Sequence, residues 1–424
     1  MEPRRRLSLR RRLGRPIFVL THHPEDARPA EGVTFLDCDV AEAVRIGLQA
    51  ADGENRGHVV RQAVGPDRAL HLSSSDVLGL VASDHVETTA SAVTSRTSLR
   101  RRHAKRLMIV GGRAHPALAS AIAAQLGIEL TPATLKTFAG GETYCRYEES
   151  VRGADVFVVQ PTCANPETGV GLNDALMELL LLVEAARGAS AHRVVAVTPW
   201  FGYSRQDRKS APREPLSARL AARLLETAGA DRILAMDLHV GQIQGFSNRP
   251  VDHMTALLML TRHFAERDLP NPVVVAPDVG RAKLNQKVAA LLGSDLAILT
   301  KDRPAHQEAE VTNVIGDVEG KTAIIIDDII DTAGTLRAAA KALRANGAIA
   351  VHAAATHAVL SGDAPKNLAD GFEEVVVTDT IPLRAGMPPS VRVLPTAELL
   401  ADCIRRIFTD DSVSQAFAGE NQLF

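Results

Sequence analysis

From Leu107 onward, short apolar runs recur along the chain: LMIVGG, VFVVQPT, VVAVTPWF, ILAMDLH, VVVAPD, LAILTK, AIIIDD and EVVVTD, separated by stretches rich in Ala and Leu. A short apolar run without polar alternation suits a strand buried on both faces, and the Ala/Leu stretches suit the helices that connect such strands. Chains with this rhythm fold as open, mainly parallel α/β sheets with right-handed crossovers. The series occurs twice, over about 105–250 and 251–424, which predicts two similar sheet domains facing a shared cleft. Nearly every run ends in polar residues: Gln160, Arg205-Gln206-Asp207, Asp237 and His239, Asp278, Lys301 and Arg303, Asp327-Asp328. Open α/β sheets bind ligands beyond the carboxyl ends of their strands, so these positions are the candidate site.

The chain reads differently before residue 104. Basic clusters, MEPRRRLSLRRRL at the start and RTSLRRRHAKR at 96–106, flank two possible strands (PIFVLTHH and GVTFLDCDV), a helical-looking AEAVRIGLQAA and a polar, poorly periodic stretch over about 52–103. Residues 15–51 suit a small α/β unit, and 85–104 reads as a linker. A net charge of −2 supplies no global field for nucleic acid or anionic membranes, and 4% aromatic residues argue against base stacking. The arginine clusters therefore read as a solvated tail and linker, and nucleic acid is not expected as a partner. Cys38, Cys145, Cys163 and Cys403 form no C-x-x-C pair, which fits a reducing compartment. No apolar stretch approaches the ~18 residues that span a bilayer. The Arg-rich start lacks the apolar core of a secretory signal; an organellar transit peptide is the alternative to a cytoplasmic location.

The stretch KTAIIIDDIIDTAGTLRAAAKALRANGA, residues 321–348, carries the most chemistry. TAIIIDD reads as a buried strand that delivers two adjacent acids into a cleft. DTAGT is a turn of small residues that opens a helix. Such a turn lets backbone N–H groups approach a phosphate, and the helix N-terminus adds roughly half a positive charge. Thr332 and Thr335 can donate to the same oxygens. The acids upstream would meet hydroxyls or a metal on the same molecule, so the pattern suits a sugar phosphate. A capped helix, with Asp331 as N-cap, explains one carboxylate and leaves Asp327 and Asp328 without a role.

IIIDDIIDTAGT resembles the 5-phosphoribosyl 1-diphosphate (PRPP) binding motif shared by phosphoribosyltransferases and ribose-phosphate pyrophosphokinase, the PRPP synthase. PWFGYSRQDRK (199–209), DLHVGQIQGF (237–246), APDVG (276–280), TKDRP (300–304), NVIGDVEGK (313–321), ATHAVLSG (355–362) and TDTIPL (378–383) resemble the synthase in its own order. The resemblance covers about 105–424 and implies two phosphoribosyltransferase-type (type I) domains after an additional segment, 1–104. It implies transfer of the β,γ-diphosphoryl group of Mg-ATP to the C1 hydroxyl of ribose 5-phosphate, giving PRPP and AMP, with Mg²⁺ as cofactor.

By the same resemblance, Asp327, Asp328, Asp331, Thr332, Ala333, Gly334 and Thr335 hold ribose 5-phosphate, in agreement with the reading of the stretch itself. His239 and Asp278 take the magnesium positions. Arg205 and Gln206 bind ATP. Phe138 and Glu142, in TFAGGE, belong to an adenine loop donated by a neighbouring subunit, which implies a homo-oligomer. Lys301 and Arg303 are the mobile-loop cations that steady the migrating diphosphoryl group. The sequence departs from the pattern in four places: Gly140 stands where the adenine loop carries an acid, Arg281 follows Gly280 where a second Gly is usual, Pro212 replaces a Ser of the regulatory loop, and the loop 163–174 is longer. These departures leave a non-catalytic, synthase-like subunit as the alternative; a phosphoribosyltransferase would have no use for RQD or DLHVGQIQGF.

Overall fold

The computed structural model describes residues 17–20, 33–36, 58–62, 69–71, 105–302 and 311–414. The chain divides into two units, Met1–Arg101 and Arg102–Phe424. In the first, β1 (Ile17–Leu20), β2 (Val33–Leu36), β3 (His58–Gln62) and β4 (Ala69–His71) form a sheet in the order β2-β1-β3-β4. Both anticipated strands are there. The stretch read as aperiodic nevertheless contributes β3, parallel to β1, and β4, antiparallel to β3. Strands this short show no periodicity by themselves; pairing defines them. AEAVRIGLQAA and the linker 85–104 lie outside the described residues.

The second unit begins with β5 (Arg106–Gly111), α1 (Pro116–Leu126), the hairpin β6 (Ala133–Thr137) and β7 (Thr143–Tyr147), β8 (Ala154–Val159), α2 (Leu172–Gly188) and β9 (Arg193–Val197). It continues through α3 (Ser217–Ala228), β10 (Arg232–Met236), β11 (Val251–Met254) and α4 (Leu257–Ala265). Strands β11-β10-β9-β8-β5 form one wholly parallel sheet. Then follow β12 (Pro272–Ala276), α5 (Ala282–Leu292), β13 (Asp295–Asp302), β14 (Val311–Ile315), β15 (Thr322–Ile330) and α6 (Gly334–Ala345). Last come β16 (Ala350–Ala358), α7 (Ala364–Leu368), β17 (Glu374–Thr378), β18 (Val391–Leu394) and α8 (Ala397–Thr409).

All eight apolar runs are strands, and the expected mainly parallel α/β architecture is what forms. Each residue of β8 and β17 is buried, as is the Thr322–Ile326 half of β15. Helices on both faces require this, and each fully buried Ile or Val contributes about 1.5–3 kcal/mol of transfer free energy. The second sheet runs β14-β13-β12-β15-β16-β17-β18, with only the edge strand β14 antiparallel. Strands 12 to 14 are laid down in one direction and strands 15 to 18 in the other, so the order reverses between β12 and β15. A reversal of this kind opens a crevice at the carboxyl ends of the two strands.

The two sheets are joined by more than the covalent chain. Helix α8 follows the second sheet yet packs on the first: Leu400, Cys403 and Ile404 share a buried cluster with Leu118 and Ile122 of α1 and Phe157 of β8. Buried residues at 397, 400, 401, 404 and 407 make one apolar stripe at helical spacing. Beyond the helix, Asp410 closes the contact by pairing with Lys105 (2.7 Å) and Arg193 (3.0 Å). At the opposite end of the strands, fully buried His357 of β16 donates from Nε2 to the carbonyls of Met236 (3.0 Å) and Asp237 (3.2 Å), while its Nδ1 faces the Thr380 hydroxyl at 2.9 Å. Burial pushes its pKa down, in keeping with a neutral ring that donates on one side only. No described helix is long and apolar enough to cross a membrane.

Truncating Ile404 to Ala should destabilise the protein by about 2–4 kcal/mol, because the site is enclosed between α8, α1 and the first sheet and cannot easily collapse. Urea unfolding followed by far-UV circular dichroism measures this; a change below about 0.5 kcal/mol, the size of an ordinary surface substitution, would place α8 outside the core.

Candidate functional site

Strand β15 leaves the apolar core at Ile326 and carries Asp327 and Asp328 beyond it; Asp328 is buried and Asp327 half-buried. The following turn places Ala333 at φ +58°, a left-handed conformation that a Cβ disfavours, immediately before α6. Ala333 is the N-cap of that helix and has no side-chain acceptor for its first-turn N–H groups. Such amides attract anions. The turn is pinned by Asn367, which donates to the Thr332 carbonyl at 2.7 Å, and by the Ser361 hydroxyl, which donates to Asp331.

A cavity of about 280 Å³ opens over these residues. Its walls include Asp327, Asp328, Asp331, Thr332, Ala333 and Thr335 from β15 and its turn, together with Asp278 beyond β12, His239 beyond β10 and Arg205 beyond β9. The cavity thus lies where the strand order reverses, and the first sheet closes it. Side chains of the first sheet reach across the cavity to acids of the second. Arg205 Nη1 reaches Asp331 at 2.7 Å, and His239 Nδ1 donates to Asp328 at 2.7 Å. Arg281, in the 3₁₀ turn after β12, adds a second guanidinium: its Nη2 lies 2.5 Å from Asp328 and its Nε 3.5 Å from Asp327.

The electrostatics follow from this geometry. Burial, then the adjacent Asp328 charge, pushes the Asp327 carboxyl well above the usual carboxylate range. Burial acts the same way on Asp328, but the His239 hydrogen bond and the Arg281 charge outweigh it and hold Asp328 below that range. Asp331 is also depressed: burial opposes, while Ser361 and Arg205 prevail. One acid of the adjacent pair thus favours its proton and the other its charge.

The remaining anticipated residues are placed as follows. Gly334 is the first residue of α6, and a Cβ there would meet the Thr332 hydroxyl (3.8 Å) and the Asn367 amide (4.0 Å) at ordinary contact distance. Gln206 faces the start of α3, accepting from the Ser217 hydroxyl at 2.5 Å, and is not part of the cavity wall. Phe138 and Glu142 sit at the tip of the β6–β7 hairpin, away from that wall, where their backbones bond each other at 2.8 Å. Phe138 is 45% exposed, with Tyr144 edge-on and Lys136 5.0 Å above its ring. Lys301 lies on β13, its backbone opposite Thr312 of β14, and Arg303 falls outside the described residues. Among the described residues, no three His, Cys, Asp or Glu side chains converge as a ready cage for a metal.

Several residues that shape the site were not singled out from sequence: Ser361 and Asn367 on the turn, and Asn285, whose amide donates to the carbonyls of Arg281 (3.1 Å) and Ile326 (3.2 Å). Asn285 lies in an amphipathic helix and gave no local signal. The longer loop 163–174 folds back on the segment after β5, with buried Asn165 donating to the Ala114 carbonyl at 3.0 Å and Thr168 to that of Arg113 at 3.0 Å.

Comparison with known proteins gives concordant matches. Residues 107–229 match the family model of the N-terminal domain of ribose phosphate pyrophosphokinase, and residues 297–418 match that of the phosphoribosyl synthetase-associated domain. The ribose-phosphate pyrophosphokinase of Gloeobacter violaceus is 48% identical over 316 residues, covering 74% of this chain and 93% of the relative. That of Corynebacterium efficiens is 47% identical over 321 residues, covering 74% and 97%. The crystal structure of phosphoribosylpyrophosphate synthetase from Mycobacterium smegmatis superposes with a TM-score of 0.68 at 47% identity, covering 72% of this chain and all of that one.

The left-handed Ala333 makes one prediction. Replacing it by Gly removes a Cβ penalty of about 1–2 kcal/mol and adds unfolded-chain entropy worth a fraction of that. Ala333→Gly should therefore raise stability by up to about 1 kcal/mol, and Ala333→Val should lower it by more. Urea midpoints of the two variants decide; a destabilising Gly would contradict the strained turn.

Proposed function

Because the chain belongs to the ribose-phosphate pyrophosphokinase family, we propose that it makes PRPP, moving the β,γ-diphosphoryl group of ATP to the C1 hydroxyl of ribose 5-phosphate. The observation that carries this reading is the cavity at the reversal of strand order, where adjacent acids and an uncapped helix N-terminus from one sheet meet Arg205 and His239 from the other. The reaction needs two anionic substrates held face to face, and this cavity has donors on both sides.

In this assignment the amides of α6, with Thr332, Gly334 and Thr335, take the 5-phosphate, and Asp327, Asp328 and Asp331 face the ribose hydroxyls. The nucleotide side lies within 105–250 and the pentose side within 251–424. Arg205 leaves Asp331 for the triphosphate, where a guanidinium can donate bidentately, and Gln206 assists beside it. The new bond joins the ribose O1 to the β-phosphorus as the bond from the β-phosphorus to the α-phosphate bridging oxygen breaks. AMP leaves, and the hydroxyl proton is lost. Lys301 and Arg303 balance charge on the migrating group, since phosphoryl-type transfer is chiefly positioning and neutralisation.

The donor set suits Mg²⁺, a hard cation commonly held by one or two carboxylates together with substrate phosphates. Asp278, Asp327 and Asp328 supply such oxygens in one cavity, with His239 orienting Asp328. Bound with the triphosphate, Mg²⁺ would neutralise charge at the β- and γ-phosphates. The exposed Phe138–Glu142 tip, which forms no part of the cavity wall of its own chain, supports a homo-oligomer in which a neighbour grips the adenine.

The test is product analysis with the purified full chain: ATP, Mg²⁺ and ribose 5-phosphate should yield AMP and PRPP in equal amounts. Lys301→Ala should lower turnover by about 100-fold or more, corresponding to some 2.7 kcal/mol of lost stabilisation. Failure to form AMP would favour the non-catalytic reading, and near-normal turnover by the variant would remove Lys301 from the mechanism.

A further inference from the structure

Arg281 is inserted among the acids of the pentose pocket, and several groups hold it there. The Asp278 carboxylate accepts from the Arg281 backbone N–H at 3.0 Å, and Asn285 donates to its carbonyl at 3.1 Å. The side chain, only 13% exposed, points toward β15, with Nη2 2.5 Å from Asp328 and Nε 3.5 Å from Asp327. Nη2 also lies 3.4 Å from the His239 carbonyl. One residue thus engages three carboxyl groups of the cavity wall: Asp278 through its backbone, and Asp327 and Asp328 through its guanidinium.

We propose that Arg281 is a resident counter-ion of the Asp327–Asp328 pair, and that a divalent cation arriving with the pentose must displace it, so that this residue sets the affinity of the site for cation and sugar. The inference rests on the pentose assignment above and deepens it. Asp328 Oδ2 already receives His239 and Arg281. A second positive group at the same edge would face the guanidinium at contact distance, in a pocket where water screens poorly. Binding therefore includes the work of breaking a well-formed, largely buried pair, and apparent affinity falls by the fraction of molecules in which the arginine has moved. Swung out, the same guanidinium can meet phosphate oxygens.

The experiment measures binding without turnover. Mn²⁺ serves as the cation, its free concentration followed by electron paramagnetic resonance, and ribose 5-phosphate is titrated calorimetrically into the full chain and into Arg281→Gln. The variant should bind Mn²⁺ about tenfold more tightly or better, a gain of about 1.4 kcal/mol. In the unsubstituted chain, Mn²⁺ should also raise the rate at which phenylglyoxal modifies Arg281, read by peptide mass. This second measurement holds even where Arg281→Gln fails to fold. Unchanged or weaker Mn²⁺ binding by a folded variant, or no rise in modification, overturns the proposal. If the unsubstituted chain binds both probes while either of those results is found, only the role of Arg281 falls. If neither protein binds Mn²⁺ or ribose 5-phosphate, the pentose assignment falls with it.

Discussion

Two carboxyl groups in succession at the end of a buried strand repel each other, by about 4 kcal/mol if both are charged ~4 Å apart in a medium of effective dielectric near 20. Within β15 the Asp328 N–H, which donates to the Asp327 carboxyl at 2.8 Å, offsets part of that. The rest of the compensation comes from elsewhere in the chain: His239, 89 residues earlier in sequence and on the other sheet, and Arg281 after β12. Arg281 compensates the pair from within the same sheet, and His239 completes the compensation only when the first sheet is in place, so the association of the sheets and the completion of the site are coupled. This gives the otherwise unexpected path of α8 a purpose. By burying its apolar stripe against α1, it fastens the end of the chain to the sheet that supplies His239.

The same economy governs the strand ends. Asp237 and Ala333 both adopt positive φ, +35° and +58°, and both stand where a strand gives way to the cavity. Such conformations persist only where surrounding contacts over-determine them. Around Asp237 those contacts are its carboxylate, which accepts from the Ala256 N–H (2.8 Å) and the Thr356 hydroxyl (2.5 Å), and the His357 ring on its carbonyl. The backbone is thereby turned so that His239, two residues on, faces β15. Rigid positioning of one side chain thus draws on Thr356 and His357 of the opposite sheet.

Much of this was legible in the sequence, for a clear reason. A strand buried on both faces must be apolar throughout, so its end is marked by the first polar residues, and in this fold the ends are where ligands bind. That rule singles out Asp278, Asp327, Asp328, Arg205 and His239, which the fold brings together around one cavity. The same rule selected Gln160 and Asp237, which are structural: Gln160 is fully buried between the Ala114 N–H (3.0 Å) and Glu178 (3.0 Å). A strand-end polar residue can serve the ligand or the scaffold, and residue type does not decide between them. Strand β16, AVHAAATHA, was missed because Ala-rich sequence reads as helix; its central place between β15 and β17 makes it a strand. The β6–β7 hairpin, β11, β14 and β18 also escaped, being short or half-exposed. Ser361, Asn285 and Asn367 escaped for a different reason, since their partners are assembled only by the tertiary fold.

Charge balance carries the remaining step. Asp328 and Asp331 favour their charged forms, Asp327 its proton, and Arg281 and Arg205 lie against the two charged acids. Two acids of the pocket are therefore already answered by arginines of the same chain. A phosphate monoester brings roughly 1.5–2 negative charges at neutral pH, and the amides of α6 answer only part of that. A sugar phosphate can enter at low cost only with a cation of its own, or by recruiting an arginine away from its acid. Dependence on a divalent ion would then arise from this balance between acids, arginines and substrate, with no preformed metal cage required of the protein.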